Sequence, residues 1–299
     1  MSVELETKGR IVVGTDGSPR ADKAVDWAAG RAAARGLPLL VLFVVPELPL
    51  PGRTAAAAQI HHGINYMADY LAEAQKKVDR VVEQMRQRYP NLDAKGKVIQ
   101  GAPSYVLTRA SRDADQVVVG ARGEGAPLSV RLLGGVSDAV VTHAHGPVVV
   151  VSDEVHENPG GPVVVGVDDS PAAKAAIKLA FDAADVRGVP LIAINSWDFG
   201  PYDAYNAEIW DQSVEGITKS LSELVEELLA DGKAAHPSVP VEIRVIRGRP
   251  ERALVDASRE AGLVVVGSRG RGGFAGLLLG STSKHVLRES HCPVIVTRG

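Results

Sequence analysis

The chain has 299 residues, of which 45% are hydrophobic and 23% are charged, and its formal net charge at pH 7 is −3. This composition is typical of a globular protein with length for two domains, and it excludes a disordered chain. A net charge so close to zero provides no strong field for a nucleic-acid backbone or an anionic membrane, so we expect neither as a partner.

The ends of the chain and its single cysteine favour a cytoplasmic location. The first ten residues are polar and acidic, and no apolar run approaches 18 residues, so we expect neither a signal peptide nor a membrane span. Cys292 is the only cysteine, which excludes an internal disulfide framework. Its position just before an apolar run predicts a small buried side chain.

Short runs of Val, Ile and Leu in the first half predict strands that are buried on both faces. The five predicted strands cover residues 10–14, 37–45, 97–100, 116–120 and 147–151. Helical stretches lie between them, and the clearest has an apolar stripe with a spacing of three and four residues. The stripe comprises Met67, Tyr70, Leu71, Ala74, Val78, Val81, Val82 and Met85. Strands that alternate with helices predict βαβ units in a doubly wound sheet.

Three segments of the first half recur in the second half in the same order. Residues 11–19 (IVVGTDGSP) recur as 163–171 (VVVGVDDSP), 116–123 (QVVVGARG) as 263–270 (LVVVGSRG), and 145–151 (HGPVVVV) as 291–297 (HCPVIVT). Such repetition indicates two copies of one α/β domain. The Ser-Pro pair that ends the first segment predicts a capped helix start in both copies. We expect one domain over residues 1–152, a linker over 153–162 and a second domain over 163–299.

The loop after the fourth predicted strand of the second copy is rich in glycine. Gly267 and Gly270 are followed by nine residues and then by Gly280 and Ser281, where a helix is predicted to begin. Because glycine has no Cβ, backbone amides can approach phosphate oxygens, and a helix amino terminus favours an anion. Ligands of such sheets bind beyond the carboxyl ends of the strands. The pattern therefore predicts a phosphate site, with a plain surface turn as the alternative.

The spacing of strand, paired glycines, nine-residue excursion, Gly-Ser and helix resembles the nucleotide-binding motif of the universal stress protein family. The resemblance covers nearly the whole chain in two copies, and it is closest to the tandem, ATP-binding, actinobacterial-like type. It implies an α/β fold of two tandem doubly wound domains, each a five-stranded parallel sheet of order 3-2-1-4-5 flanked by helices. It also implies association through the last strands, as a homodimer or as a pseudo-dimer within one chain.

The resemblance further implies ATP as the ligand, with Mg²⁺ as a candidate companion, and it assigns binding residues in both copies. In the first copy they are Thr15, Asp16, Val44, Gly120, Gly123, Gly134, Gly135, Val136 and Ser137. In the second copy they are Val167, Asp168, Ser196, Gly267, Arg269, Gly270, Gly280, Ser281, Thr282 and Ser283. The two aspartates are assigned to the adenosine end, and Val44 and Ser196 to adenine. A turn-capping carboxylate is the alternative role for each aspartate.

The first copy departs from this motif. Ten residues instead of nine separate Gly123 from Gly134, and Gly135 stands where the second copy has Ser281. The first copy therefore lacks one of the hydroxyl groups expected at the phosphates. Arg122, together with its counterpart in the second copy, is either a phosphate ligand or a solvated surface residue. We predict that the second half binds nucleotide at least as tightly as the first.

Motifs of committed catalysis are absent from the sequence. There is no P-loop and no Gly-x-Ser-x-Gly elbow, and no general base or nucleophile stands out, so we assign no catalytic residue. Asp16, Asp168 and Asp169 offer too few carboxylates to assign a metal site. We therefore predict a regulatory ATP sensor of the stress response. The alternatives are a slow ATPase or nucleotidyl-transfer enzyme of the same fold, and a scaffold with a vestigial nucleotide site.

Overall fold

The computed structural model describes residues 5–46, 56–123, 133–152, 158–198, 211–271 and 278–299. The chain divides into two compact units, and the division falls between residues 152 and 158. Each unit alternates strands with helices. Among the helices described, none is long and apolar enough to cross a membrane.

The first unit is a parallel sheet with helices between its strands. In chain order its described elements are β1 (Ile11–Thr15), α1 (Pro19–Arg35), β2 (Leu39–Val45), α2 (Ala56–Arg88), β3 (Ala94–Gln100), α3 (Pro103–Ala110), β4 (Gln116–Gly120), α4 (Gly135–His143) and β5 (Val148–Val151). Every strand pair is parallel, and the strand order is β3-β2-β1-β4-β5. The pairing confirms the predicted doubly wound α/β class.

The second unit repeats this arrangement. Its described elements are β6 (Val163–Gly166), α5 (Pro171–Arg187), β7 (Leu191–Trp197), α6 (Asp211–Ala235), β8 (Val241–Arg247), α7 (Pro250–Ala257), β9 (Leu263–Gly267), α8 (Ser281–Glu289) and β10 (Val294–Thr297). The parallel pairs place the strands in the order β8-β7-β6-β9-β10, which corresponds to the order of the first unit. In both units the loops after the first and fourth strands are therefore neighbours at the carboxyl edge of the sheet.

The inner strands are buried on both faces, whereas the third strand of the first unit is not. The residues of β1 from Ile11 to Val13 are fully buried, as are those of β6 from Val163 to Val165. Strand β3 begins at Ala94, three residues before the predicted start at residue 97. It lies at the edge of the described sheet of its unit, where exposed Lys95 is tolerated, so its first residues lack the continuous apolar run on which the prediction depended.

Helix α2 covers β3 and β2 with its apolar stripe. Ala74, Val78, Val82 and Met85 are buried, which confirms the central part of the predicted stripe. Tyr70 is 44% exposed, so the buried stripe begins one turn later than predicted. The described side chains of Leu71 and Val81 are half-buried, and that of Met67 lies outside the described part.

Helices α1 and α5 begin where the Ser-Pro pairs predict. The hydroxyl oxygens of Ser18 and Ser170 accept hydrogen bonds from the N–H groups of Ala21 and Ala173, each at 3.2 Å. A proline occupies the first helical position in both cases. Side-chain caps thus satisfy one amide at the start of each of these helices.

Cys292 is a buried thiol, as its position before an apolar run predicts. The residue is 2% exposed. Burial raises the pKa of its thiol to about 12. Cys292 therefore behaves as a small apolar side chain that packs at the start of the last strand.

Candidate functional site

A cleft of about 460 Å³ opens at the carboxyl ends of the strands in the second unit. Its walls come from the ends of β6, β7 and β9, from α7, and from the first turn of α8. The described lining consists of Gly166, Val167, Asp168, Ala173, Ile194, Ser196, Pro250, Leu254, Val266, Gly267, Arg269, Gly270, Arg271, Gly280, Ser281, Thr282 and Ser283. All ten residues predicted for the second copy line this one cleft.

The apolar wall of the cleft was not predicted. Pro250 and Leu254 belong to α7, and a Cβ added at Gly166 would lie 3.2 Å from a methyl group of Leu254. The first unit has the same close approach, since a Cβ added at Gly14 would lie 2.8 Å from a methyl group of Leu107. The glycine that ends each first strand thus admits a leucine. A proline at the start of the helix after the third strand, repeated in both copies, was the available signal.

Asp168 joins the loop after β6 to the glycine loop after β9. Its Oδ1 accepts hydrogen bonds from the N–H group of Ser170 at 3.0 Å and from the Ser170 hydroxyl, and its Oδ2 accepts the N–H group of Arg271 at 3.1 Å. A Cβ added at Gly270 would lie 2.5 Å from Oδ2, so glycine is what allows the two loops to approach. The turn-capping role considered for Asp168 thus describes its contacts within the protein, while the residue also lines the cleft.

The first turn of α8 presents backbone donors to the cleft. Its N-cap is Gly280, which makes no side-chain cap. The N–H groups of Ser281, Thr282 and Ser283 therefore have no carbonyl partner within the helix. All three residues line the cleft. Free amides at a positive helix end suit an anion.

The two serines of this turn differ in what their hydroxyl groups do. The Ser283 side chain is buried, and its hydroxyl donates to the carbonyl of Gly267 at 2.7 Å. Ser137 makes the same contact with the carbonyl of Gly120 at 2.6 Å in the first unit. Both hydroxyl hydrogens are thus engaged within the protein, which corrects the expectation that Ser283 donates its hydroxyl to phosphate. Ser281 is exposed at the cleft.

The first unit places its predicted residues in corresponding positions. Asp16 Oδ1 accepts the N–H group of Ser18 at 3.0 Å, and a Cβ added at Gly123 would lie 2.8 Å from Asp16 Oδ2. Thr15 Oγ1 accepts the N–H group of Gly17 at 3.1 Å. The loops after β1 and β4 therefore approach each other here as they do in the second unit.

The start of α4 matches the start of α8. Gly134 is its N-cap without a side-chain cap, and no atom lies within 4 Å of a Cβ added at Gly135. Val136 is 39% exposed, whereas Val44 at the end of β2 is buried. The inserted residue of the first copy falls in the excursion between Gly123 and Gly134, most of which lies outside the described residues.

Arginine side chains at the two sites have different surroundings. Arg122 is buried in the first unit, whereas its counterpart Arg269 is exposed and lines the cleft of the second unit. Arg271 lies with its Nε 3.1 Å from Oδ1 of Asp169. In the part of the chain that the structure describes, no group of three His, Cys, Asp or Glu side chains could hold a metal ion.

The fold and the cleft define a tandem α/β protein with a glycine-lined site at the strand ends of the second unit and matching loops in the first. The chain belongs to the universal stress protein family, which it matches over residues 8–152 and 161–298. A universal stress protein of Mycobacterium tuberculosis strain H37Rv is 38% identical over 299 residues, which is 96% of each chain. Another, from strain CDC 1551, is 37% identical over 319 residues and covers 100% of this chain and 97% of that protein. The family associates the chain with the stress response.

A solved structure shares the fold. The crystal structure of a universal stress protein from Archaeoglobus fulgidus has a TM-score of 0.68 and 24% sequence identity. The match covers 97% of this chain and 98% of that one. The comparison extends the tandem α/β architecture to a distant relative.

Proposed function

We propose that this protein is a regulatory nucleotide sensor of the stress response that binds ATP at the carboxyl ends of the strands in each unit. The cleft of the second unit is the observation that supports this most directly. Its volume of about 460 Å³ lies between an apolar wall and a row of backbone donors. Ligand sites typically combine apolar walls with a few polar groups that fix orientation.

The two ends of the cleft suit the two ends of a nucleotide. Val167, Ile194 and Leu254 provide apolar surface on which a flat base can pack. Gly270 and the first turn of α8 provide amides without bulky side chains, which suit phosphates. We therefore place adenine against α7 and the phosphates against α8.

The described lining favours binding over turnover. Asp168 is the only acidic residue in it, and both of its carboxylate oxygens accept hydrogen bonds from the protein. A general base needs a free acceptor within reach of the proton that it removes. The alternative function, a slow ATPase or nucleotidyl-transfer enzyme, predicts ADP or AMP after incubation with ATP and Mg²⁺. Product formation above that of a Gly270→Ala, Gly280→Ala double variant would favour this alternative.

The test of the binding function is a titration of the full chain with ATP in a calorimeter, together with mass spectrometry of molecules that copurify. We expect two ATP per chain. Gly270→Ala would place a Cβ 2.5 Å from Asp168 Oδ2, so the loops must separate and one of the two sites should weaken by about tenfold or more.

Gly216→Ala is the matched control, because it makes the same change on α6 where no atom lies within 4 Å of the added Cβ. It should leave ATP binding unchanged. The proposal is wrong if no adenine nucleotide binds, and the site is misplaced if Gly270→Ala binds two ATP as tightly as the parent chain.

Two further parts of the proposal concern the ion and the assembly. We propose that Mg²⁺ arrives with the phosphates, which the calorimetric titration tests when it is repeated with EDTA. We also propose association through the last strands, within one chain or between two chains. The molecular mass in solution, measured by light scattering, tests the association between chains.

A further inference from the structure

One buried backbone position organises the phosphate end of the second cleft. The N–H group of Ser268 donates to the carbonyl of Thr297 at 2.7 Å, and the Ser268 carbonyl accepts the N–H group of Gly280 at 2.7 Å. The end of β10 and the start of α8 are therefore both attached to Ser268. The next residues in the chain after Ser268 and Thr297 are Arg269 and Arg298, so two arginines lie beside the start of α8.

The two arginines bring like charges close together. Partial burial and the positive charge of Arg269 lower the pKa of Arg298. Arg269 lines the cleft. Neighbouring cations repel each other, and an anion with several charges that lies near both relieves this repulsion.

The first unit has the same backbone junction with fewer cations at the cleft. The N–H group of Ala121 donates to the carbonyl of Val151 at 2.8 Å, and the Ala121 carbonyl accepts the N–H group of Gly134 at 2.8 Å. The residues that follow are Arg122, which is 6% exposed, and Ser152. Ser152 thus takes the place that Arg298 has in the second unit, and the chain contains its own comparison.

We propose that Arg269 and Arg298 form a polyphosphate subsite, through which the second unit selects nucleotides by the number of their phosphate charges. The second unit then prefers ATP to ADP, and ADP to AMP or 3′,5′-cyclic AMP, whereas the first unit discriminates less. The subsite rests on the proposed function, since it requires a nucleotide in the cleft with its phosphates towards α8. Guanidinium groups suit the task because they stay charged and form paired hydrogen bonds with phosphate.

The decisive variant is Arg298→Met in the full chain, which removes the charge and keeps an apolar stem for packing. Calorimetric titrations with ATP, ADP, AMP and cyclic AMP should show the ATP affinity of one of the two sites lowered about tenfold. The AMP affinity should change by less than about twofold, because AMP does not extend to the subsite. Arg298→Lys should restore part of the preference for ATP.

The mirror variant Ser152→Arg supplies the second, independent readout. It should raise the ATP affinity of the first unit while leaving its AMP affinity nearly unchanged. This gain of selectivity keeps the test valid even if Arg298→Met folds poorly.

The outcomes separate the subsite from the binding function. Equal loss of ATP and AMP affinity in Arg298→Met, or equal affinity for ATP and AMP at both sites of the parent chain, would refute the subsite and leave nucleotide binding intact. Failure of every adenine nucleotide to bind would overturn both proposals. A selective loss of ATP affinity, with the mirrored gain in Ser152→Arg, would establish the subsite.

Discussion

At the residue scale, two serines one position apart from sharing a side of α8 divide structure from binding. Ser283 is buried and donates to the Gly267 carbonyl, whereas Ser281 is exposed at the cleft. We expect Ser283→Ala to lower the free energy of unfolding by about 1–2 kcal/mol, because a buried carbonyl loses its donor. Ser281→Ala should change stability by less than about 0.5 kcal/mol and weaken ATP binding severalfold. Urea titration and calorimetry measure the two effects.

The first unit supplies the controls for this pair. Ser137→Ala should cost about as much stability as Ser283→Ala, because the contact with the Gly120 carbonyl is equivalent. Gly135→Ser restores the hydroxyl that the first copy lacks, and no atom lies within 4 Å of its added Cβ. It should strengthen ATP binding in the first unit. A weakened first site in Gly135→Ser would contradict the role assigned to Ser281.

The separation of these serines also shows where sequence reasoning stopped. The glycine spacing correctly brings Gly267, Gly280 and Ser281 to one cleft, because strand ends and helix starts follow from the repeat. It does not say which way a hydroxyl points. Residues two positions apart on a helix differ in direction by about 200°, so Ser283 turns inward where Ser281 turns outward.

At the scale of single elements, the caps of α1 and α5 are matched in sequence but not in their contacts. Ser18 and Ser170 both cap an amide, but the Ser170 hydroxyl also lies within hydrogen-bond distance of Asp168 and of the Arg269 carbonyl. Ser18→Ala should lower the free energy of unfolding by about 1 kcal/mol, as loss of a cap typically does. Ser170→Ala should cost about 1 kcal/mol more, because the glycine loop loses an attachment. Equal costs in urea titrations would contradict the added role of Ser170.

A charged cluster joins α5 to the residues that follow α6. The two ring nitrogens of His236 lie 3.1 Å from Asp182 and 3.1 Å from Asp185, and the Ser238 hydroxyl donates to Asp185 at 2.8 Å. Hydrogen bonds from His236 and then from Ser238 lower the pKa of Asp185 below 3.8. A carboxyl whose pKa is lower in the folded state stabilises the protein above its unfolded pKa, and this contribution is lost as the pH falls through the folded pKa.

Asp185→Asn should therefore destabilise the protein at pH 6, and the difference from the parent chain should shrink as the pH falls below about 3.8, the ordinary aspartate pKa. Urea titrations at a series of pH values measure this difference. Asp231→Asn, at an exposed position on α6, is the matched control and should have little effect at any pH. A difference that stays constant down to pH 2 would show that Asp185 acts through packing instead of charge.

The elements themselves could be predicted where burial leaves a continuous apolar run. The inner strands and the buried part of α2 have such runs, so their positions are confirmed within a few residues. The start of β3 could not be found this way, because an edge strand pairs on one side and tolerates Lys95 and Lys97. Helix α7 was not recognised as a wall of the cleft, because Leu254 reaches the site across Gly166 and not from a strand end.

At the scale of the whole molecule, repetition made the fold predictable and divergence between the copies made the site less so. The family matches residues 8–152 and 161–298, and we propose domains over 1–152 and 163–299 joined by a linker over 153–162. Backbone contacts at the two junctions are the same, whereas Ser152 and Arg298 differ in charge. A pattern common to both copies locates a site, but the residues that differ decide what each site prefers.

Ligand binding should therefore stabilise the two units unequally. A unit that binds ATP only when folded gains about RT ln(1 + [ATP]/Kd) in its free energy of unfolding. If the second site binds ten times more tightly, ATP at the Kd of the first site adds about 1.4 kcal/mol to the second unit and about 0.4 kcal/mol to the first. Scanning calorimetry at rising ATP concentrations should show the larger shift first, and Gly270→Ala should abolish that larger shift while keeping the smaller one. If the full shift persists in Gly270→Ala, the tighter site lies in the first unit.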